Sequence, residues 1–247
     1  MKIICAGINK TGTKSITKAL RHLGFTVFDW EEQIFDFLDH WFEVFRNGSE
    51  PDVKRVYKNA DAVVDVPGTF FWEEILDAFP DCKVILSERD EDSWVKSIVN
   101  QREIGQAVRS RMSHRTAAIL SPTMRKVQYI VDCYFDALLG SRNTKSTYIF
   151  RKRYRIHNHR VKSIVSRDKL LVYSVQQGWK PLCDFLGCEV PAVAFPHENI
   201  KGEISKMSMS ATRTGRQIKC EIHKNLLVAI SFVVVIVAAS LAIFCYL

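Results

Sequence analysis

The stretch Lys2–Ser15, with the sequence KIICAGINKTGTKS, decides the fold. Its first half, Lys2–Gly7, is a short apolar run that predicts a buried β-strand. Its second half, Ile8–Ser15, combines glycine, lysine and hydroxyl side chains, and an apolar pattern of helical spacing follows it. A glycine-containing loop between a strand and a helix presents backbone N–H groups at the helix N-terminus, where anions bind. We therefore predict that this loop binds a phosphate group.

The spacing of the loop departs by one residue from the P-loop of nucleoside triphosphatases. That motif places four residues between its first glycine and a consecutive Gly-Lys-Ser/Thr. Here four residues separate Gly7 from Gly12. Thr13 then intervenes before the next lysine, Lys14. An enzyme that uses ATP or GTP with Mg²⁺, and with Lys14 displaced, is therefore one open hypothesis.

The residues from Lys10 to Ser15 place a lysine before the glycine and hydroxyl residues after it. This pattern resembles the 5′-phosphosulfate loop of sulfotransferases whose donor is 3′-phosphoadenylyl sulfate (PAPS). The resemblance implies that the whole motif binds the donor: Lys10, Thr11, Gly12, Thr13, Lys14 and Ser15. Lys10 is also a candidate catalytic residue, because a cation in this loop can stabilise the charge that develops on the leaving phosphate. A solvated position on the helix remains open for Lys14, as does an exposed loop position for Lys10.

A second anion site follows from the same resemblance. PAPS also carries a 3′-phosphate, which the family binds with an arginine and a serine separated by seven residues. Arg89 follows a predicted strand, Lys83–Glu88, and Ser97 lies at that spacing on the helix beyond it. Further landmarks of a sulfotransferase-like branch of the P-loop superfamily continue to Asn199, so the resemblance covers roughly Met1–Asn199.

Short apolar runs alternate with amphipathic stretches along this part of the chain. The predicted strands are Lys2–Ala6, Thr26–Phe28, Ala62–Val66, Lys83–Ser87 and Leu170–Tyr173, and helical patterns include Phe71–Phe79 and Asp92–Gln101. This alternation predicts an α/β fold, a three-layer P-loop-type parallel sheet flanked by helices. Ligands of such sheets bind beyond the carboxyl ends of the strands. Gly7, Asp65 and Arg89 follow three of those ends, so we expect them to converge on one site.

Asp65 is the predicted catalytic base. Soluble members of the wider family have a catalytic histidine just before an apolar-Pro pair, where this chain has Asp65 before Val66-Pro67. An ordinary carboxylate, with a pKa of about 4, is a weak base toward an alcohol. Burial or a like-charged neighbour would have to raise that pKa. Two alternatives remain open: Asp65 caps a helix near Thr69 or orients the loop, or it is a Walker B carboxylate.

The C-terminal segment Leu226–Leu247 contains no charged residue. At about 1.5 Å per residue this segment extends roughly 33 Å, and a bilayer core is about 30 Å thick. The sequence therefore predicts three parts: a sulfotransferase-like P-loop domain over residues 1–204, a basic flexible tether over 205–224 and a transmembrane tail anchor over 225–247. Basic residues precede the span and none follows it, so we expect a single-pass membrane protein whose N-terminal domain is cytosolic. The N-terminus shows no secretory signal pattern, which agrees with that orientation.

Composition limits the classes of partner without selecting one. The net charge of +8 and the pI of about 9.1 suit an anionic donor, although nucleic acid or an acidic membrane would explain them equally well. The 7 cysteines include no CxxC pair, and the 7 histidines show no metal-binding spacing. We expect neither a metal nor a nucleic-acid partner.

The acceptor is undetermined by the sequence and could be a small molecule, a glycan or a lipid. We expect its pocket to be lined by Phe35–Phe45 and Gln101–Leu139. Three hypotheses for function follow from the sequence. They are a PAPS-dependent sulfotransferase acting on a hydroxyl or an amine, a divergent nucleotide-using P-loop enzyme, and a non-catalytic membrane-tethered protein that retains the fold.

Overall fold

The computed structural model describes residues 1–197 and 213–246. Five parallel strands form one sheet in the order β2-β3-β1-β4-β5: β1 Ile3–Cys5, β2 Val27–Phe28, β3 Ala62–Val63, β4 Lys83–Ser87 and β5 Leu170–Tyr173. The predicted α/β class and all of the predicted strands are confirmed. Strand β3 is shorter than its apolar pattern, which continues to Val66. Asp65 has a φ of 67°, and this left-handed backbone cannot continue a strand.

Helices connect and flank the strands. They are α1 Thr13–His22, α2 Trp30–Asp36, α3 Leu38–Asn47, α4 Val53–Tyr57, α5 Trp72–Ala78, α6 Glu91–Ser110, α7 Met112–Leu120, α8 Pro122–Leu139, α9 Thr147–Ile164, α10 Trp179–Leu186 and α11 Arg213–Tyr246. A short 3₁₀ turn, Val175–Gln177, precedes α10. The helical pattern predicted over Asp92–Gln101 extends in α6 to Ser110.

The sheet is covered on both faces, which explains the continuous apolar runs of its strands. Successive side chains of a strand point to opposite faces. Ile4 of β1 packs in one core with Trp41 of α3. Its neighbour Ile3 packs in the other core with Leu20 of α1 and Trp179 of α10. Helices therefore form a layer on each side of the sheet, as the sequence predicts.

The strand order reverses between β1 and β4, because the chain leaves β1 toward β2 and leaves β4 toward β5. Ligands of open α/β sheets bind in the crevice at such a switch point. Gly7, just after β1, lies against the end of β4. A Cβ atom on Gly7 would lie 1.9 Å from Ser87 Oγ and 2.8 Å from Ser87 N. Only glycine permits this approach of the two strand ends.

Helix α11 contains the one stretch in the described residues that is long and apolar enough to span a membrane, Thr214–Leu241. Its large apolar side chains between Leu226 and Leu241, together with Ile243 and Phe244, are exposed. The preceding turns pack against the domain, with Thr214 3% and Ile218 5% exposed. Residues 213–224 of the predicted tether are therefore helical and docked, because one side of this helix has apolar and polar partners on the domain. The rest of the tether lies outside the described residues, and the domain boundaries stay a prediction.

Candidate active site

Lys10 and Asp65 have an unusual backbone conformation. Their φ angles are 74° and 67°, and they are the non-glycine residues with positive φ in the described parts of the chain. Such conformations cost about 1–3 kcal/mol each and persist where the surrounding structure enforces them. Strained residues of this kind concentrate at functional sites. The two residues that the sequence marks as catalytic candidates are thus also the strained ones.

The loop Ile8–Ser15, called the anion loop here for its predicted phosphate binding, is fixed to the edge of the sheet by its own hydroxyl and glycine residues. Thr11 Oγ1 donates to the Ile8 carbonyl at 2.6 Å and lies 2.6 Å from Ser87 Oγ at the end of β4. Gly12, the N-cap of α1, has a φ of 100°. A Cβ on Gly12 would lie 2.5 Å from Val175 Cγ1. The backbone N–H groups at the start of α1 are therefore held at the carboxyl ends of β1 and β4.

Helix α6 braces the same loop. Trp94 of α6 is fully buried and donates from Nε1 to the Asn9 carbonyl at 3.1 Å. Asn9 Nδ2 donates to Gln101 Oε1 at 3.0 Å, while the buried Asn9 Oδ1 has no hydrogen-bond partner in the described structure. Two residues of α6 thus contact the residue beside Lys10. The helix that carries Ser97 is thereby tied to the loop.

Lys14 lies in a cluster of carboxylates. Its Nζ pairs with Asp29 Oδ1 at 2.7 Å and with Asp65 Oδ2 at 3.6 Å. Thr13 Oγ1 donates to Asp65 Oδ2 at 3.2 Å, and the Val66 N–H donates to Asp65 Oδ1 at 2.9 Å. The Lys14 ammonium is therefore partly buried and paired with two carboxylates. That it also binds the donor stays a prediction.

Burial raises the pKa of Asp65, the Lys14 ammonium opposes that rise, and the negative charge of Asp29 adds to it. Asp65 thus meets both conditions for a carboxylate base, burial and a like-charged neighbour. Burial disfavours the charged form of Lys14, but Asp65 and Asp29 outweigh that effect and raise the pKa of Lys14. Lys14 therefore stays charged between the two carboxylates.

Lys10 is half-buried and lies in the field of two other candidate residues. Burial lowers its pKa, Asp65 opposes this shift and the Arg89 guanidinium adds to it. The hydrogen bonds of Thr11 to Ser87 and of Thr13 to Asp65 show that the loop meets the chain segments that follow β3 and end β4. Within residues 1–197 and 213–246, neither the Lys10 ammonium nor the Arg89 guanidinium has an ion-pair or hydrogen-bond partner.

The remaining predicted residues lie close to this group. Ser15 is buried in the first turn of α1. Arg89 is positioned through its backbone, because its N–H donates to Tyr154 Oη at 3.0 Å and its carbonyl accepts from the same hydroxyl at 2.9 Å. Ser97 is half-buried in the second turn of α6, beside the buried Ile98. No direct contact joins Ser97 to the loop in the described structure, so its position depends on the packing of α6.

Asp29 and Asn9 were not among the residues selected from the sequence. Asp29 directly follows β2, so its position at the carboxyl end of a predicted strand, which it shares with Asp65, is a signal that could have found it. It is also the N-cap of α2, in a capping box with Glu32. Asn9 carries no comparable signal, because its importance comes from contacts with α6, about 90 residues away.

A cavity of about 530 Å³ lies between the corner of α2 and α3, the start of α8 and helix α11. Residues 35–40, Pro122, Thr123 and Lys126 line it, together with Gln217 and Glu221 of α11. Both segments expected to form the acceptor pocket, Phe35–Phe45 and Gln101–Leu139, contribute to its walls. That this cavity receives an acceptor stays a prediction.

A parallel sheet with a glycine-containing anion loop after β1 and a further cation after β4 defines a P-loop-type α/β protein. The family model described as "Sulfotransferase domain" matches residues 2–204, and the chain belongs to that family. Among known proteins, it is similar to Ava biosynthesis cluster protein M of Aspergillus versicolor. The two are 28% identical over 212 residues, which cover 80% of each chain. The sulfotransferase resemblance predicted from the sequence is confirmed.

Proposed function

We propose that this protein is a membrane-anchored sulfotransferase that moves a sulfuryl group from PAPS to a hydroxyl or amine of an acceptor. Family membership supports sulfuryl transfer. The observation that carries the choice of donor is the pair of cations, Lys10 and Arg89, on either side of the β1–β4 switch point. Neither cation has a partner among the described residues, so a ligand with two separate anionic groups would satisfy both.

The residues present fit such a donor. Lys10–Ser15 would hold the 5′ side through backbone N–H groups and hydroxyls, and Arg89 with Ser97 would hold the 3′-phosphate. PAPS supplies an activated sulfuryl group when it is bound. The Lys10 ammonium would stabilise the negative charge left on the phosphate side. Asp65 would accept the proton of the acceptor, since its raised pKa makes it a better base than an exposed carboxylate.

The ATP- or GTP-using alternative depends on Lys14 reaching a triphosphate. The pairing of Lys14 with Asp29 and Asp65 argues against that role, because binding a nucleotide would break both ion pairs. The non-catalytic alternative keeps the anion sites and lacks turnover. The family match does not distinguish it from an active enzyme, so a turnover assay must do so.

The membrane part of the proposal is supported by α11. Its exposed apolar side chains from Leu226 onward need a covering that the described domain does not supply. Arg216, Lys219 and Lys224 lie directly before the predicted span. The positive-inside rule then favours a cytosolic domain.

Titration of the full-length chain in nanodiscs with adenosine 3′,5′-bisphosphate tests the donor. We expect binding that a chelator does not change, and a loss of about tenfold to a hundredfold in Arg89→Ala, since a hydrogen bond to a charged group contributes about 1.5–3 kcal/mol. Arg167→Ala is the matched control, because Arg167 is exposed and precedes β5 at the opposite edge of the sheet. Binding of ATP alone, abolished by the chelator, would contradict the proposal. Sulfate transfer from PAPS to any member of an acceptor panel then separates an active enzyme from a non-catalytic binder.

A further inference from the structure

Helix α7 lies beside the point where α11 leaves the domain. It packs against both α8 and α11. Asn225 Nδ2 of α11 donates to the Leu120 carbonyl at the end of α7, at 2.6 Å. Asn225 directly precedes the exposed apolar segment that begins at Leu226. The C-terminal end of α7 is therefore level with the first residue of the predicted span.

Helix α7 turns large apolar side chains outward. None of its residues is buried, and Met112 and Ile119 are 73% and 75% exposed. The two residues are seven positions apart, two helical turns, and so share one face. Isolated exposed apolar residues are common on soluble proteins. Here, however, Ile119 is next to Leu120, which contacts Asn225 at the start of the predicted span, so one apolar environment can cover both.

Basic residues lie beside this face. Arg111 and Arg115 are exposed, and neither has an ion-pair partner in the part of the chain that the structure describes. Arg125 Nη1 donates to the Ala118 and Ile119 carbonyls at 3.0 and 2.8 Å, which places a third cation at the C-terminus of α7. The sequence of α7, MSHRTAAIL, contains no acidic residue. Cations beside an exposed apolar face are typical of a helix in the interface of an anionic membrane.

We propose that α7 lies in the interfacial region of the same membrane that α11 spans, with Met112 and Ile119 among the acyl chains and Arg111 and Arg115 on anionic headgroups. This inference rests on the proposed anchoring by α11. Anchoring by α11 alone would leave the domain free to tilt about the point where α11 enters the membrane. A second contact through α7 holds one face of the domain against the bilayer.

Photo-crosslinking of the full-length chain tests this contact. p-Benzoylphenylalanine replaces Ile119 or, as the control, Tyr148, which is equally accessible at 76% exposure. Tyr148 follows α8, whose 18 residues rise about 27 Å from the end that touches α11. The proteins are inserted into vesicles of phosphatidylcholine with about one-third phosphatidylserine. Flotation, irradiation and mass spectrometry then measure the lipid adducts.

We expect at least fivefold more lipid adduct at position 119 than at position 148. Arg111→Glu with Arg115→Glu should reduce the adduct at 119 severalfold, and unchanged thermal unfolding would show that the variant folds. If the protein floats with the vesicles but forms equally little lipid adduct at both positions, the membrane contact of α7 is overturned and the anchoring by α11 stands. Failure of the protein to float overturns the anchor itself. An adduct at 119 that the charge reversal and the removal of phosphatidylserine leave unchanged overturns the headgroup contacts.

Discussion

At the scale of single residues, the strained backbone of Lys10 has a measurable consequence. A left-handed conformation costs an L-residue roughly 1–2 kcal/mol but costs glycine almost nothing. We predict that Lys10→Gly and Lys10→Ala both weaken bisphosphate binding at least tenfold, because both remove the ammonium. The glycine variant should be more stable than the alanine variant by up to about 1 kcal/mol, because only glycine relieves the strain. Thermal unfolding in detergent compares the stabilities of the two variants. A more stable alanine variant would contradict the prediction, because it would show that the loop loses its left-handed conformation at position 10.

The Asp29–Lys14–Asp65 cluster predicts a shift in pH dependence. Asp65 must be deprotonated to act as a base, so kcat/KM should fall as the pH drops through its raised pKa. Asp29→Asn removes a negative charge that raises this pKa. It also leaves Asp65 as the charged partner of the Lys14 ammonium within the cluster. Both effects lower the pKa of Asp65, so we expect the acidic limb of the profile to move to lower pH.

Asn is also a good N-cap, so α2 should remain intact in Asp29→Asn. Asp77→Asn, at an exposed position on α5, is the control and should leave the profile unchanged. A profile that is the same in Asp29→Asn and in the unmodified protein would remove Asp65 from the role of base.

At the scale of elements, the close approach of β1 and β4 predicts different effects of the same substitution at two glycines. Gly7→Ala should destabilise the fold by more than about 2 kcal/mol and weaken bisphosphate binding, since its methyl group would overlap Ser87. Gly105→Ala, in the interior of α6 with no atom within 4 Å of the added Cβ, should stabilise the protein by up to about 1 kcal/mol. Denaturant unfolding measures both. Equal stability of the two variants would mean that the strand ends separate easily.

The sequence predicts these elements well where local pattern determines them. The strands, the glycine-containing loop after β1 and the positions of Gly7, Asp65 and Arg89 after strand ends all follow from apolar periodicity and spacing. The left-handed backbone at Lys10, the Lys14–Asp29 pair and the docking of α11 do not follow from local pattern. Each depends on contacts between segments that are distant in sequence, and one sequence does not specify which distant segments meet.

At the scale of the whole molecule, the longest run of basic residues has a structural role. The most basic segment, Arg151–Lys162 of α9, is ion-paired with carboxylates of other elements. The pairs include Arg151–Glu91, Arg155–Glu91, Arg160–Glu73 and Lys162–Glu88. These pairs join α9 to α5, α6 and the end of β4. The charge of this segment therefore supports the packing of the domain and is not in itself a sign of nucleic-acid binding.

The exposed apolar surface of α11 predicts how the whole chain behaves in membranes. Carbonate extraction should leave the full-length protein with the membrane pellet, because α11 would be held by its apolar surface. Removal of residues 226–247 should release the protein into the supernatant. Extraction of the full-length chain by carbonate would contradict a transmembrane anchor.

The docking of α11 also determines where the chain can be shortened. Glu221 accepts hydrogen bonds from Ser121 Oγ at 2.6 Å, Thr123 N at 3.1 Å and Thr123 Oγ1 at 2.6 Å. A chain that stops at residue 204 would lose these bonds and uncover the surface beneath Ile218. A chain that stops at Asn225 keeps both and should melt at a higher temperature. A shortened form of this protein for crystallisation should therefore retain α11 as far as Asn225.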